Sequence, residues 1–253
     1  MLSLNEFLVV FGVSLVLGAV GLKARIVDKS GFAAGVTLSV VIMYFLPLEW
    51  FAPMAAFVIL GGMASKYKHS VKARKGEAEK KAGRGFRNIL GNGGVGLMSA
   101  MAFGFYPHPA FIVGYLCSIA AMCADTFGAE IGQLSREKPV LITSLKKVKT
   151  GTDGGITVLG EAAELVGAFL ISVIPFLLGV ASLKLVVVST LAGFLGSNFD
   201  SLVGATLERK GLADKHLTNF LGALFAAVLG IVLYAYFFGF AVAAPAYYAG
   251  YCG

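Results

Sequence analysis

The residues able to do chemistry in this chain are a handful of carboxylates and two glycine-rich stretches. Asp125 and Glu130 lie near the end of one apolar run, and Asp200, followed by Ser201, near the end of another. Glu161 and Glu164 lie near the start of the apolar run between them. The stretches Gly91-Asn92-Gly93-Gly94 and Gly151-Thr152-Asp153-Gly154-Gly155 each precede or open an apolar run. Arg84 and Arg87 stand upstream of the first, and Lys146, Lys147 and Lys149 upstream of the second. A glycine-rich helix start offers free backbone N–H groups and the positive end of the helix dipole, so each stretch is a candidate phosphate cradle. Carboxylates beside phosphates suggest Mg²⁺, a hard cation that takes oxygen ligands and keeps substrate phosphates in its shell. Asp125, Glu130 and Asp200 are the candidate ligands. Asn88, Asn92, Asn198 and Asn219 add polar groups at the same level, and Asp153, Glu161, Glu164 and Ser201 are further candidates. The competing readings are plainer: glycines that let helices pack closely, and acids that hydrogen-bond between helices.

These residues need elements to position them, and composition names the kind. The chain is 57% hydrophobic and only 14% charged over 253 residues, against about 25% charged in ordinary soluble domains. Its apolar residues fall in runs near the roughly 20 residues that span a bilayer. The expected fold is all-α: a polytopic transmembrane helical bundle forming a single integral membrane domain over residues 1–253. About eight spans are expected, near Leu4–Leu22, Phe32–Leu46, Phe51–Ser65, Ile89–Tyr106, Ala110–Gly132, Ile156–Val180, Leu185–Leu207 and Leu217–Phe240. The second and third are short. The first has no basic residues ahead of it and reads as a retained helix rather than a cleaved signal. The apolar, aromatic tail after Phe240 suits the membrane interface.

Of the 21 Lys and Arg residues, all but Lys184 follow the first, third, fifth or seventh span. The basic loops mark the cytoplasmic side, so both termini lie outside. The largest such loop, residues 66–88, is expected to be topogenic or to lie on the anionic inner leaflet. This segregation also accounts for the net charge of +7 without nucleic acid. Asp28 beside Lys29 reads as a solvated ion pair, and Asn219 as the start, and a candidate cap, of the eighth span. The cysteines Cys117, Cys123 and Cys252 have no zinc or redox spacing, and the three histidines are scattered. Asp125 falls roughly 10 Å inside its helix end. A bare carboxylate costs about 2.5–3.5 kcal/mol at the bilayer centre, so these acids need partners. A candidate internal repeat of helical hairpins pairs Asn92-Gly93-Gly94-Val95 with Asp153-Gly154-Gly155-Ile156, and the Asp125 segment with the Asp200 segment.

The segments Arg84–Val95, Ala124–Gly132, Gly151–Thr157 and Gly196–Thr206, with Asn219-Phe220, occur in an order that resembles the transmembrane protein 19 family. That family includes the plant phytyl-phosphate kinase. The resemblance implies phosphoryl transfer from a nucleoside triphosphate, CTP by analogy with prenol kinases, to a prenyl monophosphate such as phytyl or geranylgeranyl phosphate. Asp125, Asp200 and Glu130 would then be catalytic and hold Mg²⁺. Arg84, Arg87, Asn88, Asn92, Gly93, Gly94, Lys149, Gly151, Thr152, Gly154, Gly155 and Asn219 would bind phosphate or nucleotide. Asp153 departs from the small or amide residue expected there. The expected setting is the plasma membrane of a prokaryote, with the site facing the cytoplasm. The alternative is an ion-coupled transporter of a small or anionic substrate. Such a carrier needs polar groups through to both faces, whereas the outer half here is nearly bare apart from Glu49, His108 and Lys184. Prenyl chain length, nucleotide, number of metals and oligomeric state stay open at this level.

Overall fold

The computed structural model describes residues 3–70 and 83–240. The basic residues Lys72, Arg74, Lys75, Lys80 and Lys81, the tail after Phe240 and Cys252 lie outside the described residues. The expected eight runs are all helical. The helices are α1 (Leu4–Lys23), α2 (Lys29–Phe45), α3 (Phe51–Lys66), α4 (Phe86–Phe105) and α5 (Pro109–Gly132), then α6 (Val158–Ser172), the one-turn α7 (Ile174–Leu177), α8 (Leu183–Thr206) and α9 (Lys215–Phe238). The sixth expected run is α6 carried on by α7, with Pro175 at the break. Among the described residues, six helical segments are long and apolar enough to cross a membrane; of the eight expected spans, α2 falls short in length and the 20-residue α4 in hydropathy. The third run gains a 3-10 turn, Leu48–Trp50, and reaches that length; α2 remains short at 17 residues. An all-α bundle is therefore the architecture, with one addition that periodicity did not indicate. Val140–Leu141 (β1) pairs antiparallel with Gly155–Ile156 (β2), tying down the loop between α5 and α6.

Local chemistry explains the helix starts. Ser3 and Glu6 form a reciprocal capping box on α1. Thr157, Ser182 and Asp214 accept from the third amide of α6, α8 and α9. Asp28 likewise accepts from Gly31 N at 2.8 Å and from the Ser30 hydroxyl at 2.7 Å. These bonds hold its carboxyl below the usual carboxylate range, so Asp28 is the N-cap of α2 rather than a solvated partner of Lys29. The cap of α9 is Asp214, and Asn219 lies in the second turn, so Asn219 neither begins nor caps the eighth span.

Helix α5 is the hub. In its most apolar window 83% of residues are buried, against 11% in α1, which lies at the periphery. Residues Ile112 to Ala124 of α5 are almost all inaccessible and pack in one cluster with Val95, Ala168, Ala192 and Ala223 of the surrounding helices. Small residues make this close approach feasible. A Cβ on Gly193 would sit 2.8 Å from Ala120, and one on Gly196 would meet Ala226 at 2.6 Å. Some polar atoms in this interior find partners, as where the Tyr115 hydroxyl donates to the Trp50 carbonyl at 2.9 Å.

Candidate functional site

Asp125 lies seven residues before the end of α5 and Asp200 six before the end of α8. At 1.5 Å per residue both are about 10 Å inside their helices. The packing of α8 and α9 against α5 puts the two carboxyl groups close enough to interact directly. From the opposite wall, α6 brings Glu164 into the field of both aspartates and of Glu161. Gly128 makes this geometry accessible, because a Cβ there would overlap the Glu164 side chain. Asn198 Nδ2 donates to Glu164 Oε2 at 3.1 Å.

These acids line one polar cavity of about 280 Å³. Asp153, Ser201, Glu208 and Lys215 line it as well, together with the loop Gly151–Gly155. Asp200 and Glu164 are only 5% and 6% exposed. Among the described residues, Lys215 is the one cation in this lining. Its ammonium interacts most strongly with Asp125, then with Asp200, Glu208 and Asp153. Lys215 is the first residue of α9 and stays accessible to solvent. Spacing did not single out Lys215 or Glu208. In the sequence Lys215 reads only as a topogenic charge, and the available signal is its place one residue past a helix cap, on the element that faces Asp200.

Several expected participants stand elsewhere. Glu130 is buried but does not line the cavity; its carboxylate lies 3.8 Å from the Arg84 guanidinium, which also donates to the Ser65 hydroxyl at 3.1 Å. Helical geometry accounts for this, since five residues at about 100° each turn Glu130 roughly 140° away from Asp125. Arg87 pairs at 4.0 Å with Asp214 on the surface. Lys149 is exposed and outside the lining, although its carbonyl accepts from Thr152.

The first glycine-rich stretch is not a helix start. Helix α4 begins five residues earlier, so the amides of Gly91, Asn92, Gly93 and Gly94 lie past its first turn and belong to its hydrogen-bond ladder. These glycines serve close packing instead: a Cβ on Gly91 would lie 2.7 Å from the His216 carbonyl, and one on Gly93 3.0 Å from Leu38. Asn92 donates to the Asn88 carbonyl and side chain and accepts from Asn219 Nδ2 at 3.0 Å. The three asparagines thus join α4 to α9. The second stretch is a true loop. Its Gly154 has φ +72°, which favours glycine, and a Cβ there would overlap Ala205 and lie 2.5 Å from the Ser201 carbonyl. The paired halves of the candidate repeat therefore differ, one helical and one a loop, while the Asp125 and Asp200 halves occupy matching depths.

That loop supplies a direct test of fit. Gly154→Ala should lower Tm by more than Gly211→Ala. Both glycines have positive φ, but Gly211 has open space around its Cβ. The second change carries only backbone strain of about 1 kcal/mol, and the first adds a clash with α8. Equal shifts in thermal melts would mean that the loop does not press on α8.

The donor set suits Mg²⁺. It consists of hard carboxylate oxygens with one cation among them, and Glu161 Oε1 is buried without a hydrogen-bond partner. No three described side chains already form a closed cage.

Residues 12–220 match the family model described as integral membrane protein DUF92. An uncharacterized membrane protein of Methanocaldococcus jannaschii is 35% identical over 84% of this chain and 87% of its own length. An uncharacterized membrane protein of Synechocystis is 29% identical over 88% and 87%. Protein VTE6, chloroplastic, of Arabidopsis thaliana is 28% identical over 72% of this chain and 57% of its own. No solved structure matches. The chain belongs to the DUF92 family of integral membrane proteins.

Proposed function

We propose that this membrane protein is a prenyl-phosphate kinase. It would transfer the terminal phosphoryl group of a nucleoside triphosphate, CTP in the first instance, to a prenyl monophosphate such as phytyl or geranylgeranyl phosphate. The observation that carries the proposal is the cavity itself, where Asp125 and Asp200, each about 10 Å inside its helix, meet the Gly151–Gly155 loop and Lys215. The resemblance of the acid-bearing segments to a family with a plant phytyl-phosphate kinase supports the choice of reaction. The basic loops support a cytoplasmic position for this end of the bundle, where nucleotide is available. In a prokaryote that membrane is the plasma membrane.

The chemistry asks little of a protein nucleophile. An ionised oxygen of the acceptor phosphate attacks the terminal phosphorus, and a new P–O bond forms. The bond to the bridging oxygen breaks, and the nucleoside diphosphate leaves with its electron pair. Catalysis is then positioning and charge neutralisation. Asp125 and Asp200 would hold Mg²⁺, which when bound supplies positive charge to the phosphate oxygens. Asp153, Glu161 and Glu164 border the same space, so one of them could complete the set that Glu130 does not join. Lys215 would contact the phosphoryl group in transfer, and the amides of Gly151 and Gly154 would receive donor phosphates, because those of Thr152 and Gly155 already donate to the Lys149 and Thr152 carbonyls. The prenyl tail would lie between helices or in the bilayer.

The test is label transfer by purified protein in lipid nanodiscs, with Mg²⁺, a panel of γ-labelled nucleotides and a panel of prenyl monophosphates. The expected result is labelled prenyl diphosphate that disappears when the metal is chelated. If intact protein turns over no pair, the kinase reading falls, and ion-coupled transport becomes the account of the acids.

A further inference from the structure

A second cavity, of about 360 Å³, lies among α1, α2 and α3, with Ile89 of α4 also in its lining. None of its lining residues comes from α5, α6, α8 or α9, so it is separate from the acid cavity. Its walls are apolar, with Leu17, Phe32, Val36, Met54, Val58 and Ile59 among them. One end is basic. Lys66, the last residue of α3, lines that end together with Gly21, Ile26 and Val27. Lys23, Arg25 and Lys29 lie within two residues of these in the chain. The acid in this turn, Asp28, is engaged in capping α2.

An apolar chamber with a cationic rim at a helix end fits an amphiphile with an anionic head and a hydrocarbon chain. Basic residues at the cytoplasmic ends of membrane helices attract anionic lipid headgroups. We infer that the α1–α3 cavity binds one anionic phospholipid of the surrounding bilayer. An acyl chain lies between the helices, and the phosphate lies against Lys66 and the basic turn after α1. The acceptor of the proposed kinase reaction is not this occupant. Its phosphate must reach Asp125, which faces α8 and α9, whereas the neighbouring Thr126 faces Gly61 of α3.

Gly35 gives a clean probe, because it lines the cavity and nothing lies within 4 Å of a Cβ built on it. Gly12 has the same open space but is not in the lining. The protein in mild detergent is titrated with phosphatidylglycerol, phosphatidylcholine or geranylgeranyl phosphate, and bound lipid is counted by native mass spectrometry. Wild type should retain one phosphatidylglycerol at about tenfold lower concentration than phosphatidylcholine. Gly35→Phe should lose that retention at least tenfold, and Ala55→Leu, which fills the opposite wall, should weaken it in the same direction. Lys66→Gln should narrow the headgroup preference to about threefold or less, and Gly12→Phe should behave as wild type. Three outcomes overturn the inference: retention unchanged in both cavity-filling variants, no preference for the anionic headgroup, or one-for-one displacement of phosphatidylglycerol by geranylgeranyl phosphate.

Discussion

Asp125→Asn and Asp200→Asn should each lower phosphoryl transfer at least a thousandfold while leaving the protein folded and, without ligands, no less heat-stable than wild type. Asparagine keeps the size and shape of the carboxyl group but removes its ability to bind a cation. Metal-held phosphates carry most of the charge stabilisation in such transfer, so the loss in turnover should be large. The stability half of the prediction separates this role from a structural one. The cavity gathers Asp125, Asp153, Glu161, Glu164, Asp200 and Glu208 around a single lysine. Crowding acids at low dielectric is costly unless each is paired. Neutralising one of them should therefore relieve the empty site, raising Tm by a few degrees; about 1 kcal/mol corresponds to about 2–4 °C in a chain of this size. If the two aspartates were merely interhelical hydrogen-bonding groups, the same substitutions would lower Tm and leave turnover near wild type. That pairing of results would sink the ligand assignment.

Lys215→Gln should do the opposite to stability and the same to activity. The ammonium interacts with four of the surrounding acids, so removing it leaves them uncompensated and Tm should fall. Turnover should drop about a hundred- to a thousandfold, the scale seen when one preorganised donor is taken from a developing anion. Lys215→Arg should recover part of the loss, because charge is kept while the head is bulkier. The double variant Lys215→Gln with Asp200→Asn should be more stable than the sum of the single changes allows, since the two groups interact. Strict additivity in melting experiments would show that the lysine does not serve the acid cluster. Full turnover in Lys215→Gln would remove it from the proposed site.

The sequence by itself determined the solvent in which this protein folds. Long apolar runs and the segregation of Lys and Arg into alternate loops are properties of the chain read along its own length. They needed no knowledge of neighbours. The depth of Asp125 and Asp200 was legible for the same reason, because it is a count of residues from a helix end. Helix phase and pairing were not local. Whether an acid near a helix end faces a cavity depends on its angle around the axis and on which helix stands opposite. Glu130 therefore turned toward Arg84, while Glu161 and Glu164 turned toward the aspartates. A run of glycines reads alike in a loop and in a helix, so only the start of α4 at Phe86 decided that Gly91–Gly94 is a packing seam, and only β1 pairing with β2 decided that Gly151–Gly155 is a loop. Lys215 had looked like one more topogenic charge until α9 came to rest against Asp200. The tertiary structure thus decided the membership of the site, because membership is set by contacts between helices far apart in the chain.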